Sequence, residues 1–88
     1  MRKEITIVNK LGLHARAAAK LVTLASEFEC EIQLARGSRQ VNAKSIMGVM
    51  MLAAGKGTNL DLIANGADEE AAVMRLSKLV MDRFGEGE

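Results

Sequence analysis

The chain has no tryptophan, tyrosine or proline, only two phenylalanines, one cysteine and one histidine, and its 12 basic and 11 acidic residues leave a net charge of +1. Without aromatic platforms for base stacking or an excess of positive charge, a nucleic-acid partner is not expected. Cys30 has no partner for an internal disulfide, and a lone cysteine with a lone histidine makes no zinc ligand set, so no metal is expected. Cys30 reads as a small buried hydrophobe rather than a reactive thiol, and a reducing cytosol fits best. No run approaches the length of a membrane span. The start, Met1 to Val8, turns polar at Asn9 and lacks the apolar core of a signal peptide, so a cytoplasmic protein off the membrane is expected. One histidine, no carboxylate dyad and no cofactor loop leave no assembled catalytic set, which argues against a stand-alone enzyme and against a bound cofactor. Gly55-Lys56-Gly57-Thr58 lacks the spacing of a P-loop and reads as a turn.

What is present is the composition of a globular protein, 49% hydrophobic and 26% charged over 88 residues. That length suits one domain, 1–88, with 85–88 expected to fray. Lys3 to Val8 reads as a strand rich in β-branched residues. From Ala15, the residues Ala17, Ala18, Leu21, Val22, Leu24 and Ala25 recur at helical spacing, and Phe28 closes the stripe. Glu31 to Ala35 and Arg39 to Asn42 form a hairpin with Gly37 in its turn. Ile46 to Ala54 is a short helix stopped by Gly55, and Thr58 to Ala64 alternates again as a strand. Asp68, Glu69 and Glu70 head a last helix whose apolar positions are Ala71, Ala72, Met74, Leu76, Leu79, Val80 and Phe84. The order βαββαβα predicts an α+β open-faced sandwich: four antiparallel strands covered on one face by three helices.

His14 stands just before the first helix. A helix N-terminus offers N–H groups without intrahelical partners and a partial positive charge, so an anion there is stabilised without a purpose-built pocket. A phosphoryl group on His14 would meet the N–H groups of Arg16 and Ala17, and the Arg16 guanidinium can reach its oxygens in fork geometry. Taken singly, His14 is also an acceptable capping residue, and Arg16 an ordinary solvated side chain.

The wording of the segment says more. Gly12-Leu13-His14-Ala15-Arg16-Ala17 resembles the active-site signature of the HPr family, the histidine-containing phosphocarriers of the phosphoenolpyruvate-dependent phosphotransferase system. Val41-Asn42-Ala43-Lys44-Ser45-Ile46-Met47-Gly48-Val49-Met50 resembles that family's regulatory-serine segment, and the element order over all 88 residues matches its open-faced sandwich. Ala17 departs from the proline common in the family's first turn; alanine remains an excellent helix former there but restrains φ less.

The resemblance implies a carrier that accepts a phosphoryl group on Nδ1 of His14 from enzyme I and donates it to a IIA-type domain, in sugar uptake or a nitrogen-related regulatory branch. Such transfer asks for positioning and charge stabilisation and no resident metal. It also implies Ser45 as a position modified by a serine kinase in some bacteria, although a serine directly before a helix is equally an N-cap. Ile46, Met47 and Met50 are implied as docking residues with Arg16 and Lys20 as a basic flank. Helical spacing supports some exposure of the methionines, while Val49 and Leu52 read as core. A monomer is expected, since one face must meet successive partners. The alternative is a non-catalytic regulatory docking module of the same fold.

Overall fold

A computed structural model describes residues 1–87. Its strands are β1 (Arg2–Thr6), β2 (Glu31–Arg36), β3 (Arg39–Asn42) and β4 (Asn59–Asn65), and its helices are α1 (Ala15–Ala25), α2 (Ile46–Met51) and α3 (Glu69–Met81), followed by a 3-10 turn at Arg83–Gly85. The strands form one antiparallel sheet in the order β1-β4-β2-β3. This is the expected open-faced sandwich. The register sets Ile5 opposite Leu60 and Leu34 opposite Leu62, so the large apolar side chains share one face, and period-two alternation turns Glu4 and Asp61 to the other. The helices bury Ala17, Ala18, Leu21, Val49, Leu76 and Val80 in the same core. Among the described residues no helix is long and apolar enough to cross a membrane.

Several boundaries differ from the sequence expectation, each for a local reason. β1 ends at Thr6 because Ile7 leaves the ladder to pair with the turn before β4: its N–H donates to the Thr58 carbonyl at 2.9 Å and its carbonyl accepts from Gly57 N at 2.7 Å. α2 stops at Met51, short of Ala54, and glycine is not what stops it. Ala53 takes φ 50°, while Arg36 Nη1 donates to the carbonyls of Leu52 and Ala53 and Arg39 Nη1 to that of Met51. Two arginines of the β2–β3 hairpin thus satisfy helix-end carbonyls that would otherwise lack partners. Val49 and Leu52 are core, as expected.

α3 begins behind Asp68, but the Asp68 carboxylate turns away from the helix and accepts from the amides of Glu29 and Cys30 at 2.9 and 3.0 Å. The Glu29 amide, then the Cys30 thiol, hold its carboxyl below the ordinary range, and burial next to Asp68 pushes the Cys30 thiol up. Cys30 is buried. Met74, expected on the apolar stripe, is 67% exposed, because the buried positions Val73, Leu76 and Val80 lie on the other side of the helix. Phe84 does not extend α3; it reaches the core from the 3-10 turn.

Ser45 is the N-cap of α2, with Oγ accepting from the Gly48 amide at 3.2 Å. Ser45→Ala is therefore expected to cost about 1 kcal/mol of stability, read by chemical denaturation at unchanged denaturant slope.

Candidate functional site

The segment Asn9–Leu13 turns the chain from β1 into α1, and its backbone is over-determined. Gly12 has φ 67°, and a Cβ there would stand 2.5 Å from the Ala54 carbonyl oxygen and 2.7 Å from Gly55 Cα. Only glycine fits so close an approach in the left-handed region. The Leu13 amide donates to the same Ala54 carbonyl at 2.8 Å, and the fully buried Asn9 donates through Nδ2 to the Gly12 carbonyl at 2.8 Å. The turn is thus tied both to itself and to the end of α2.

His14 follows as the N-cap of α1. Its backbone is extended and its carbonyl accepts the first helical bond, from the Ala18 amide at 2.8 Å, but its side chain makes no capping bond. The expectation of a histidine at a helix start is met, and the reading of that imidazole as a cap is not. The ring is left for other contacts. In the first turn, the N–H groups of Arg16 and Ala17 have no carbonyl four residues back within the helix. Arg16 is exposed, and among the described residues its guanidinium has neither a carboxylate nor a carbonyl partner.

Around His14 lies an open hollow lined by Lys10, Leu11, Arg16, Lys20, Gly85 and Glu86. Gly85 and Glu86 correct the expectation of a frayed tail, as far as the described residues go; Glu88 lies outside them. Phe84 anchors the tail in the core, and Lys20 Nζ donates to the Phe84 carbonyl at 2.6 Å. The Glu86 carboxylate then meets the site: Oε2 lies 2.5 Å from His14 Nε2 and Oε1 accepts from Asn9 Nδ2 at 3.0 Å. These two contacts, His14 first, hold the Glu86 carboxyl below its ordinary range.

The residues expected to matter therefore fall into two groups. His14, Arg16 and Lys20 share the hollow, with Lys20 engaged in holding the tail. Ser45, Ile46, Met47 and Met50 belong to α2 and its cap, and none of them lines the hollow. Ile46, Met47, Met50 and Met51 are exposed, Met47 to 77%. Glu86 and Asn9 escaped sequence reasoning. Gly85-Glu86-Gly87 carries the composition of a loose end, and no local pattern links it to an asparagine 77 positions earlier.

Chemically, the site offers an imidazole at the positive end of a helix, an exposed guanidinium two residues on and open access, a set suited to holding a transferable anion. Comparison with known proteins agrees. Residues 1–82 match the family model described as PTS HPr component phosphorylation site. Phosphocarrier protein HPr of Cupriavidus necator is 54% identical over 88 residues, covering 100% of this chain and 99% of that one. The Pseudomonas aeruginosa protein of the same name is 56% identical over 86 residues, covering 97% and 96%. The crystal structure of HPr-C-His from Thermoanaerobacter tengcongensis superimposes with a TM-score of 0.95 at 45% identity, covering 98% of this chain and 97% of that one. A more distant relative, phosphocarrier protein NPr of Shewanella violacea, is 44% identical over 86 residues, covering 98% and 94%. An HPr dimer from Thermoanaerobacter tengcongensis superimposes with a TM-score of 0.80 at 48% identity, covering 93% and 94%. The chain belongs to the HPr family of phosphocarrier proteins of the phosphotransferase system.

Proposed function

We propose that Nδ1 of His14 accepts a phosphoryl group from the phosphohistidine of enzyme I and passes it to a histidine of a IIA-type domain. The observation that carries this reading is the His14 imidazole, uncommitted to capping, at the start of α1 with the exposed Arg16, which has no carboxylate or carbonyl partner among the described residues, two residues on. The Arg16 fork neutralises phosphoryl oxygens as charge spreads over them, and the Arg16 and Ala17 amides add backbone donors. The chain supplies positioning and charge, and the partners supply the rest of the chemistry, so it acts as a carrier rather than as an enzyme.

Ile46, Met47 and Met50 are the docking residues in this reading, because an exposed methionine-rich surface can adapt to unrelated partners. Lys20 and Arg16 supply the basic flank. The carrier works as a monomer here, since its face must be bare for two partners in turn; the dimer is a property of the Thermoanaerobacter protein. Ser45 is a second modification position for a serine kinase. Phosphate there would put about two negative charges at the start of α2, in place of the Gly48 contact, and repel an acidic partner surface.

The test is intact mass after incubation with phosphoenolpyruvate and enzyme I, repeated after brief acid treatment. A gain of one phosphoryl group, lost in acid, is expected. No gain would leave a docking module that keeps the motif without the chemistry.

A further inference from the structure

The tail of the chain does something the carrier reading does not require. A carboxylate 72 residues along the chain from His14, in a segment of glycines and glutamates, reaches the edge of the His14 ring opposite the reacting nitrogen. Four independent contacts bring it there. Phe84 is buried although its backbone holds φ 55°, a strained conformation for an aromatic residue, so burial of the ring outweighs the strain. Lys20 clamps the Phe84 carbonyl, Asn9 grips Glu86 Oε1, and Glu86 Oε2 meets His14 Nε2. The paired side chains are 29% and 15% exposed, which shields the contact from much of the solvent.

The geometry points to Glu86 as a positioning residue that keeps the His14 proton on Nε2 and so keeps the lone pair on Nδ1. This rests on the carrier reading for its consequence, though not for its geometry. An ionised carboxylate only accepts, so the hydrogen in a neutral imidazole beside it must sit on the facing nitrogen. The Asn9 amide and the lowered carboxyl pKa both keep Glu86 in that acceptor form. During acceptance, the Nδ1 lone pair attacks phosphorus while the donor's nitrogen–phosphorus bond breaks and its electron pair returns to the donor nitrogen. The His14 ring then carries a positive charge with its proton still on Nε2, facing the Glu86 carboxylate. During donation the Nδ1–phosphorus bond breaks, its pair returns to Nδ1, and the ring is neutral again in the same tautomer. No proton has to move between the two transfers.

The experiment compares the parent chain with Glu86→Ala and Glu86→Gln. Glutamine keeps the length, but its amide can donate as well as accept, so it no longer selects one tautomer. Nitrogen-15 shifts of the neutral ring are expected to show Nε2–H almost alone in the parent and a mixture of both tautomers in each variant. Phosphoryl transfer from enzyme I should slow about tenfold in both variants, with the same final stoichiometry. An unchanged amide spectrum away from the tail shows that the fold is intact. Identical ring shifts in parent and variants would overturn the inference, as would faster transfer in Glu86→Ala, which would make the tail a cover over the site. A parent chain that never gains phosphate overturns the carrier reading instead, and the ring shifts still report the Glu86 contact by themselves.

Discussion

Replacing His14 with alanine is expected to abolish phosphoryl gain from enzyme I, a loss of at least about a thousandfold in rate. His14 is the sole histidine of the chain, so no second imidazole can take over. Removing it deletes the nucleophile and leaves Arg16 and the helix end with nothing to hold. The fold should survive with a loss of only about 1–2 kcal/mol, because the side chain does not cap α1 and what goes is its one bond to the Glu86 carboxylate. Intact mass and thermal unfolding on the same sample separate the two effects. Phosphate gained by the alanine variant and stable to acid would move the acceptor to a hydroxyl, Ser45 being the first to test, and would refute the role given to His14.

Phe84→Ala is expected to produce the largest loss of stability, about 3–5 kcal/mol, the range for truncating a buried phenylalanine. The residue is 1% exposed and sits beyond the last helix, in a turn where Arg83 and Phe84 both take positive φ. Alanine bears the same backbone strain, so the difference measures the ring and the cavity it leaves. For a domain of this size each kcal/mol corresponds to about 4–8 °C in melting temperature. The loss should also be felt at the site. Without its anchor the tail no longer carries Glu86 to His14, so the ring tautomers should mix as in Glu86→Ala. A variant that unfolds like the parent would show that Phe84 does not hold the tail.

Much of this was legible in the chain itself. Apolar residues at helical spacing from Ala17 to Ala25, and alternation around Leu60, Leu62 and Ala64, are local signals, because one buried face forces one period on each element. The position of His14 was legible for the same reason: Gly12 and the alanine-rich run after it mark a turn and a helix start. What misled were ends. The pattern ends α2 at Gly55, but arginines from β2 and β3 cap it earlier, and no local pattern encodes a donor that arrives from a separate hairpin. Met74 fits the apolar pattern as well as its neighbours do, and only the packing of α3 through Val73, Leu76 and Val80 leaves it on the outer side.

The sequence by itself determined the element order, the covered face of the sheet and the helix start that presents His14 with Arg16 two residues later, because each depends on neighbours within a turn or a strand. Only the tertiary structure decided that Gly85 and Glu86 belong to the site. A glycine-rich end has little local preference, so its place is set by a distant core that accepts Phe84, by Lys20 and by Asn9. Contacts between residues so far apart in the chain leave no periodicity, and they exist only once the sheet and helices have brought Asn9, His14 and Lys20 beside the Phe84–Glu86 segment.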